Sequence, residues 1–539
     1  MPDDLPLLAL AQAAPSDLKF HTYDLVALGV FLVAVLLAGV WFSRRNTTTE
    51  MYFLGGHRIP GWAIGLSLVG TSVSSITFLA LPAAAFALDY RMIVPNLTLP
   101  VVALIAVSCF IPLYRRVATT SAFEYLEKRF GWGIRLYAGI TFLIMQSVRL
   151  STVLYLVSIP LAYLTGIPTE WVIVIAGVVI AVYTIIGGIE SVIWTDVAQT
   201  VVLLGGGLLC LGYIIASLPG GLPKIVEVGM ANQKFGVGPI EPSFAERTFF
   251  IMLLMGLVNF TTEYASNQNI VQRYLAARSL REARRATLLC AVVSLPTWLL
   301  FFFLGTCLFA YYKVTQADVI GSMPADDVLP FFLITQMPPG VAGVIVAGAM
   351  AAAMSTLDSS INAMSTIATT DFLKRWLAPG RDDRFYLKAA RLFAVVAGVL
   401  MITGASLLQL VPKESMANLG FIIMSLFGGV LLGVYLLGFF TTRVDSRAML
   451  IGLAVAVALN IYLAFNHFGW LPGWAELPIH TFANRIILNL VLVSMTYAIA
   501  LTRGRNAREL DGLTVWTTRK PPAEPTPRPG AAAVEPAQE

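Results

Sequence analysis

The chain reads as an all-α integral membrane protein of about thirteen transmembrane helices, and three observations predict it. Of its 539 residues 57 % are hydrophobic and only 12 % charged, where soluble domains run nearer a quarter charged. Apolar stretches of about 18–28 residues, long enough to cross a bilayer, recur from end to end. Lys and Arg are shared unequally between alternate loops. A string of soluble domains is excluded, so the net charge of +5 must be read loop by loop rather than as a sign of nucleic-acid binding.

At about twenty apolar residues per span, the spans fall near 24–42, 61–87, 93–114, 134–163, 170–187, 192–217, 248–270, 286–312, 340–370, 389–411, 417–441, 448–468 and 482–502. The N-terminal LPLLALAQAA stretch lacks the basic region of a signal peptide. With the N-terminus outside, the inside loops (43–60, 115–135, 188–191, 271–285, 371–391, 442–447 and the tail) hold 27 of the 36 Lys and Arg residues. The outside segments hold eight, and one, Arg149, is left in the membrane. Positive charge favours the cytoplasmic side, so the predicted topology is N-terminus outside and C-terminus inside, in the plasma (bacterial inner) membrane. The tail ends in PPAEPTPRPGAAAVEPAQE, a composition expected to be disordered.

Much chemistry is excluded by composition. The four cysteines (Cys109, Cys210, Cys290, Cys307) lie in or at the ends of apolar runs with no CxxC pair, so neither a disulfide framework nor a zinc site is indicated. The four histidines sit at segment edges or in loops, and the longest loop, about 218–246, is too short for a soluble catalytic domain. An enzyme reading lacks a metal or a histidine beside paired carboxylates. A sensor reading lacks a signalling domain.

Charged groups set where the solvent is hydrocarbon mark function, because each costs roughly 2.5–3.5 kcal/mol on insertion scales unless paired or bound to something. The second span carries GTSVSSIT from Gly70 to Thr77, with hydroxyls at Thr71, Ser72, Ser74, Ser75 and Thr77. Such a run either breaks the helix, freeing carbonyls for a cation and N–H groups for an anion, or back-bonds its hydroxyls to the preceding turn. The ninth span carries AAAMSTLDSSINAMST, in which Ala352, Ser355, Thr356 and Ser359 are spaced i, i+3, i+4, i+7. That stripe offers hard oxygen ligands to a small cation, or lets helices approach closely. Asp358 lies beside it, and Asp196 opens the sixth span.

Arg149 is the sharpest signal. About fifteen residues into its span, its Cα lies roughly 22 Å from the cytoplasmic end, and its always-charged fork suits a carboxylate. Either it binds a substrate carboxylate or it pairs internally with Glu263, near the middle of the seventh span.

Five segments together resemble the sodium/solute symporter family: FLGGHRIPGWAIGLSLVGTSVSSITF (53–78), YTIIGGIESVIWTDVAQT (183–200), NQNIVQRYLAARS (267–279), AAAMSTLDSSINAMSTIATTDFL (351–373) and GGVLLGVYLLGFFTTRV (428–444). The resemblance implies a LeuT-like fold of two inverted five-helix repeats, 61–217 and 248–441, joined by an extracytoplasmic loop, 218–247. An N-terminus (1–23) and a leading helix with its cytoplasmic loop (24–60) precede them. Two C-terminal helices (442–502) and the tail (503–539) follow.

By the same resemblance a first sodium ion is held by Gly70, Val73, Ala352, Ser355 and Thr356. A second sodium site, used by some members, maps onto Asp196, Asp358 and Ser359, with an aspartate where the sugar-transporting branch has a hydroxyl. The pattern is nearest to bacterial sodium–sialic acid symporters, whose carboxylate-binding arginine falls on Arg149. Their broken-helix hydroxyls fall on Ser72, Ser74 and Thr77, and a polar second-helix residue on Asn96. The sugar-binding Gln and Asn of glucose transporters correspond to Phe421 and Phe260, so these two and Glu263 complete a substrate set for an anion rather than a hexose. The implied function is sodium-coupled import of a small anionic solute, most closely sialic acid, by alternating access. Another monocarboxylate, or a neutral sugar, is the alternative.

Overall fold

The computed structural model describes residues 21–43, 47–117, 119–241, 248–410, 429–477, 479, 481–503, 506 and 508–517. Among these, ten helices are long and apolar enough to cross a membrane, and a bent pair adds an eleventh candidate. In chain order the helices are α1 (Thr22–Ser43), α2 (Thr49–Leu54), α3 (Gly61–Ser72), α4 (Ser75–Ala87), α5 (Tyr90–Val117), α6 (Ala122–Phe130), α7 (Trp132–Thr165), α8 (Thr169–Ser217) and α9 (Gly221–Ala231). After them come α10 (Phe249–Ser266), α11 (Gln268–Ala276), α12 (Leu280–Thr315), α13 (Ala325–Thr335), α14 (Val341–Ile367), α15 (Asp383–Gln409), α16 (Leu431–Phe440), α17 (Ser446–His467) and α18 (Thr481–Thr502).

One run, α8, covers two predicted spans. If straight it would measure about 74 Å at 1.5 Å per residue, more than twice the hydrocarbon core. Gly188 interrupts it at φ 59°, ψ −168°, a conformation that side-chain-bearing residues avoid, and so separates 169–187 from 189–217 where the sequence places its cytoplasmic turn. Of the eleventh predicted span only α16 is described, because residues 411–428 lie outside the described residues.

The first helix of each predicted repeat is broken. The α3 and α4 pair bends by 51°, and α10 passes to α11 through an extended Asn267 (φ −78°, ψ 119°). A short helix also separates the second and third spans of each half, α6 in one and α13 in the other. Corresponding breaks in the two halves are the mark of paired transporter repeats.

Hydrocarbon removes the hydrophobic drive for helices to associate, leaving close packing and polar ties to decide the arrangement. α14 is buried along nearly its whole length and packs against α8, α7, α1 and α3. At its N-terminus the buried Asp24 of α1 accepts hydrogen bonds from the N–H groups of Gly340 (2.7 Å) and Gly343 (2.8 Å), meeting the unpaired donors and the positive end of the helix dipole. Where α10 crosses α5, a Cβ on Gly256 would stand 2.2 Å from the Pro95 carbonyl oxygen, so only glycine fits.

Other ties gather at the end of the bundle that the charge distribution assigns to the cytoplasm. Arg129 of α6 donates to the carbonyls of Thr441 (2.8 Å), Val444 (2.9 Å) and Gly438 (3.3 Å), satisfying the C-terminal end of α16. Arg135 pairs with Asp371 and Glu127, and Arg375 joins Glu127 at 2.7 Å. Burial works to raise the Glu127 carboxyl, but the hydrogen bonds and charges of Arg375 and Arg135 outweigh it and hold it below the usual range.

Two expectations are corrected by the structure. The composition predicts disorder from residue 503, yet residues 510–517 fold back onto the bundle. The Tyr125 hydroxyl donates to the Leu513 carbonyl at 2.9 Å, the Val515 N–H to Phe439 at 2.9 Å, and the Trp516 indole to Phe440 at 2.6 Å. Paired backbone and packed Leu513 and Val515 are incompatible with a solvated coil; residues 518–539 lie outside the described residues. The loop reading of the charges also changes, because Arg129, Arg135 and Arg273, counted in inside loops, are buried, and Arg485, counted outside, sits in α18.

Candidate functional site

The break between α3 and α4 positions the first group of predicted residues. Val73 (φ −99°, ψ 88°) and Ser74 (φ −86°, ψ 178°) leave the helical region, as a run crowded with hydroxyl and β-branched residues favours. A helix end leaves its last carbonyls short of intrahelical donors; here the Val69 carbonyl still accepts from the Val73 N–H at 2.8 Å, and those of Gly70, Thr71 and Ser72 follow it, with the Val73 carbonyl in the break itself. Ser74 stands at the N-cap of α4 without a side-chain cap bond. The Thr71 hydroxyl, by contrast, back-bonds to the Ser67 carbonyl at 2.9 Å. Thr77 is buried and Ser72 half-buried.

Gly70 faces α14 and α8. A Cβ there would lie 2.6 Å from Ser355 Oγ and 2.8 Å from Thr200 Oγ1, so the missing side chain lets three helices bring oxygens together. Ser355 Oγ is buried beside the Asp196 carboxylate, to which it bonds only weakly, leaving much of its hydrogen-bonding capacity unused. Thr356 donates to the Ala352 carbonyl at 3.2 Å, placing two more predicted ligands side by side. The break, the weakly bonded Ser355 hydroxyl and the oxygen stripe fit a small hard cation.

A second constellation joins Asp196, Asp358 and Ser359. Asp196 Oδ2 accepts from Ser67 Oγ (2.5 Å) and Arg273 Nη2 (2.8 Å), and the same Nη2 donates to Ser359 Oγ at 2.7 Å. The Tyr183 hydroxyl donates to Asp358 Oδ2 at 2.7 Å. Ser359 reaches Asp358 Oδ1 at 3.3 Å and Thr71 at 3.3 Å. Asp196 Oδ1 is buried, with only a weak contact to Ser355. The three predicted residues therefore meet, in a cluster that also contains Arg273, Tyr183 and Ser67.

Sequence reasoning missed those three. Arg273 lies in QNIVQRYLA, polar enough to read as loop, whereas it belongs to α11 and is 1 % exposed. One signal could have found it, since a carboxylate buried at Asp196 requires a cation and the nearby broken helix carries one.

Arg149 stands half-buried at the middle of α7 and forms no hydrogen bond or ion pair with any described residue. No Arg149–Glu263 ion pair occurs among the described residues. Glu263 instead accepts from the Asn267 amide and meets the field of Arg485, whose guanidinium donates to Asn259 at 2.8 Å. Phe260, half-buried on the same helix, packs its ring 5.7 Å from Trp298. Asn96 is half-buried in the turn that opens α5. Phe421 lies outside the described residues.

The family described as "Sodium:solute symporter family" matches residues 52–456. The sodium/sialic acid symporter SiaT of Proteus mirabilis is 32 % identical over 444 residues, covering 82 % of this chain and 90 % of that one. The sodium/sialic acid symporter NanT of Aliivibrio fischeri is 30 % identical over 505 residues, covering 93 % and 98 %. A solved structure of a Na+-coupled sialic acid symporter, substrate-bound and outward-open, superposes with a TM-score of 0.85 at 30 % identity, over 91 % of this chain and 99 % of that one. The fold is LeuT-like. The chain belongs to the sodium:solute symporter family, as a multi-pass membrane carrier whose coupling ion is sodium.

Proposed function

We propose that this carrier imports a small carboxylate-bearing solute, sialic acid being the best fit, into a bacterial cell across the inner membrane, with its N-terminus outside and C-terminus in the cytoplasm. Arg149 carries the reading. It is an always-charged group at the middle of a membrane helix, without a partner among the described residues, and so requires an anion from elsewhere. The names of the relatives, both sialic acid symporters covered over most of their length, support the choice of acid.

Arg149 takes the substrate carboxylate as a bidentate pair. The hydroxyls of Ser72, Ser74 and Thr77, the amide of Asn96 and the α10 face of Phe260 and Glu263 take the remainder, with Phe421 completing the set. The first sodium ion draws on Gly70, Val73, Ala352, Ser355 and Thr356. Because it closes the helix break that presents the hydroxyls, ion and substrate bind together, and the repeats rock around them.

The second sodium site, at Asp196, Asp358 and Ser359, follows from energetics. A tenfold sodium gradient supplies about 1.4 kcal/mol per ion, and 100 mV supplies about 2.3 per net charge moved. One sodium with one anion is electroneutral and concentrates the acid only about tenfold. Two sodium ions supply about 5 kcal/mol, or several thousandfold.

Purified protein in liposomes should accumulate labelled sialic acid only under an inward sodium gradient. Arg149→Ala should abolish uptake while sodium still stabilises the protein against heat. Sodium-driven uptake of a neutral hexose in place of the acid, unaffected by Arg149→Ala, would establish the alternative.

A further inference from the structure

The Asp196 cluster contains two carboxylates and one guanidinium. Arg273 reaches it from α11, donating through Nε to Ser67 Oγ (2.8 Å), through Nη1 to the Asn269 carbonyl (2.6 Å), and through Nη2 to both Asp196 and Ser359. Asp358 lies in the field of both Asp196 and Arg273. With both carboxylates ionised the cluster carries one net negative charge, in a place where Asp196, Asp358 and Arg273 are at most 1 % exposed. Asp196 Oδ1 and Ser355 Oγ, both buried, interact only weakly with each other and make no other hydrogen bond among the described residues.

We propose that Arg273 is the fixed counter-charge of the second sodium site, one that restricts the site to a single mobile monovalent cation and keeps its affinity low enough for release. This rests on the second-site reading above. Arg273 and the mobile ion draw on the same two side chains, Asp196, which gives Oδ2 to Arg273 and leaves Oδ1, and Ser359, and like charges at that separation repel strongly where water is excluded. Two bare carboxylates would hold sodium tightly and give it up slowly; one neutralised in advance by Arg273 leaves a single charge, which one sodium balances. The guanidinium is anchored by four acceptors, so its charge is fixed in place beside the site.

Equilibrium binding of radioactive sodium to the purified full-length protein tests the inference without needing the substrate. Wild type should bind two ions, one weakly. Arg273→Gln should tighten the weaker site by about tenfold, whereas Arg273→Lys, which keeps the charge, should stay within about threefold of wild type. Should Arg273→Gln alone fail to fold, Arg273→Gln with Asp358→Asn restores one net negative charge and should bind the second ion with near-wild-type affinity. Two wild-type ions, with the weaker site unchanged or loosened in Arg273→Gln, would overturn the role of Arg273 alone. Binding of only one ion by the charge-balanced double variant would overturn it equally. A wild-type count of one ion would overturn the second-site reading and this inference with it.

Discussion

The Arg273 guanidinium lies 2.8 Å from the Asp196 carboxylate, with both side chains at most 1 % exposed. The pair joins α11, just beyond the helix break at Asn267, to α8, and through Ser67 and Ser359 to α3 and α14. Removing one partner of a buried pair leaves the other uncompensated, which costs about 3–5 kcal/mol. Asp196→Asn should therefore lower the unfolding midpoint markedly in detergent. Asp196→Asn with Arg273→Gln should recover part of that loss, and additive losses in the double variant would show that the two side chains do not act as a pair.

Arg149→Lys separates charge from geometry. Lysine keeps the positive charge but not the planar fork, so the substrate concentration for half-maximal uptake should rise about 10- to 100-fold, one to three kcal/mol of lost binding. Wild-type uptake kinetics in Arg149→Lys would mean that no bidentate contact is made.

For the first sodium site, Ser355→Ala removes a buried hydroxyl whose protein partner, the Asp196 carboxylate, is only weakly engaged. A structural hydroxyl would be missed by the fold, whereas this one should be missed by sodium. The sodium concentration for half-maximal uptake should rise about tenfold or more, with thermal stability in sodium-free buffer nearly unchanged. A large stability loss without sodium, at unchanged sodium dependence, would contradict that assignment.

The Glu127 link is pH-dependent in a definite direction. Its carboxyl is held below the usual range in the folded protein, so the stabilisation is fully present above the unfolded value of about 4.3 and is lost as pH falls through the lower folded value. Glu127→Gln should be less stable than wild type by about 1 kcal/mol at pH 7, after discounting its partial exposure. The gap should close on acidification below about pH 4, and a gap that widens there would mean that folding raises this carboxyl instead of lowering it.

At the end of the bundle that the charge distribution assigns to the cytoplasm, Arg129 serves three carbonyls around the end of α16. Arg129→Ala leaves them short of donors in a buried position, so stability should fall by about 3 kcal/mol. Protease nicking between residues 441 and 517 should increase, since the Tyr125, Phe439 and Phe440 contacts of the tail share that end. Unchanged nicking would show the tail docking independently of Arg129.

Sequence by itself determined the solvent of this protein, its helical class, the family motifs and the positions at which polar groups break the apolar pattern. All of these are local properties, legible over about twenty residues because hydrocarbon tolerates so few exceptions. The helix break at Val73–Ser74, the Ser355–Thr356 stripe and Arg149 were legible for the same reason. Only tertiary structure decided which charge answers which. Asp196 and Arg273 stand 77 positions apart, and Glu263 meets Arg485 rather than Arg149. A tail polar enough to read as coil docks through backbone groups of Phe439 and Phe440. Pairing across a bundle depends on how helices cross and where they break, and neither quantity has a local period in the chain; the charge at Arg273 was visible from the outset, its partner only once α11 was folded against α8.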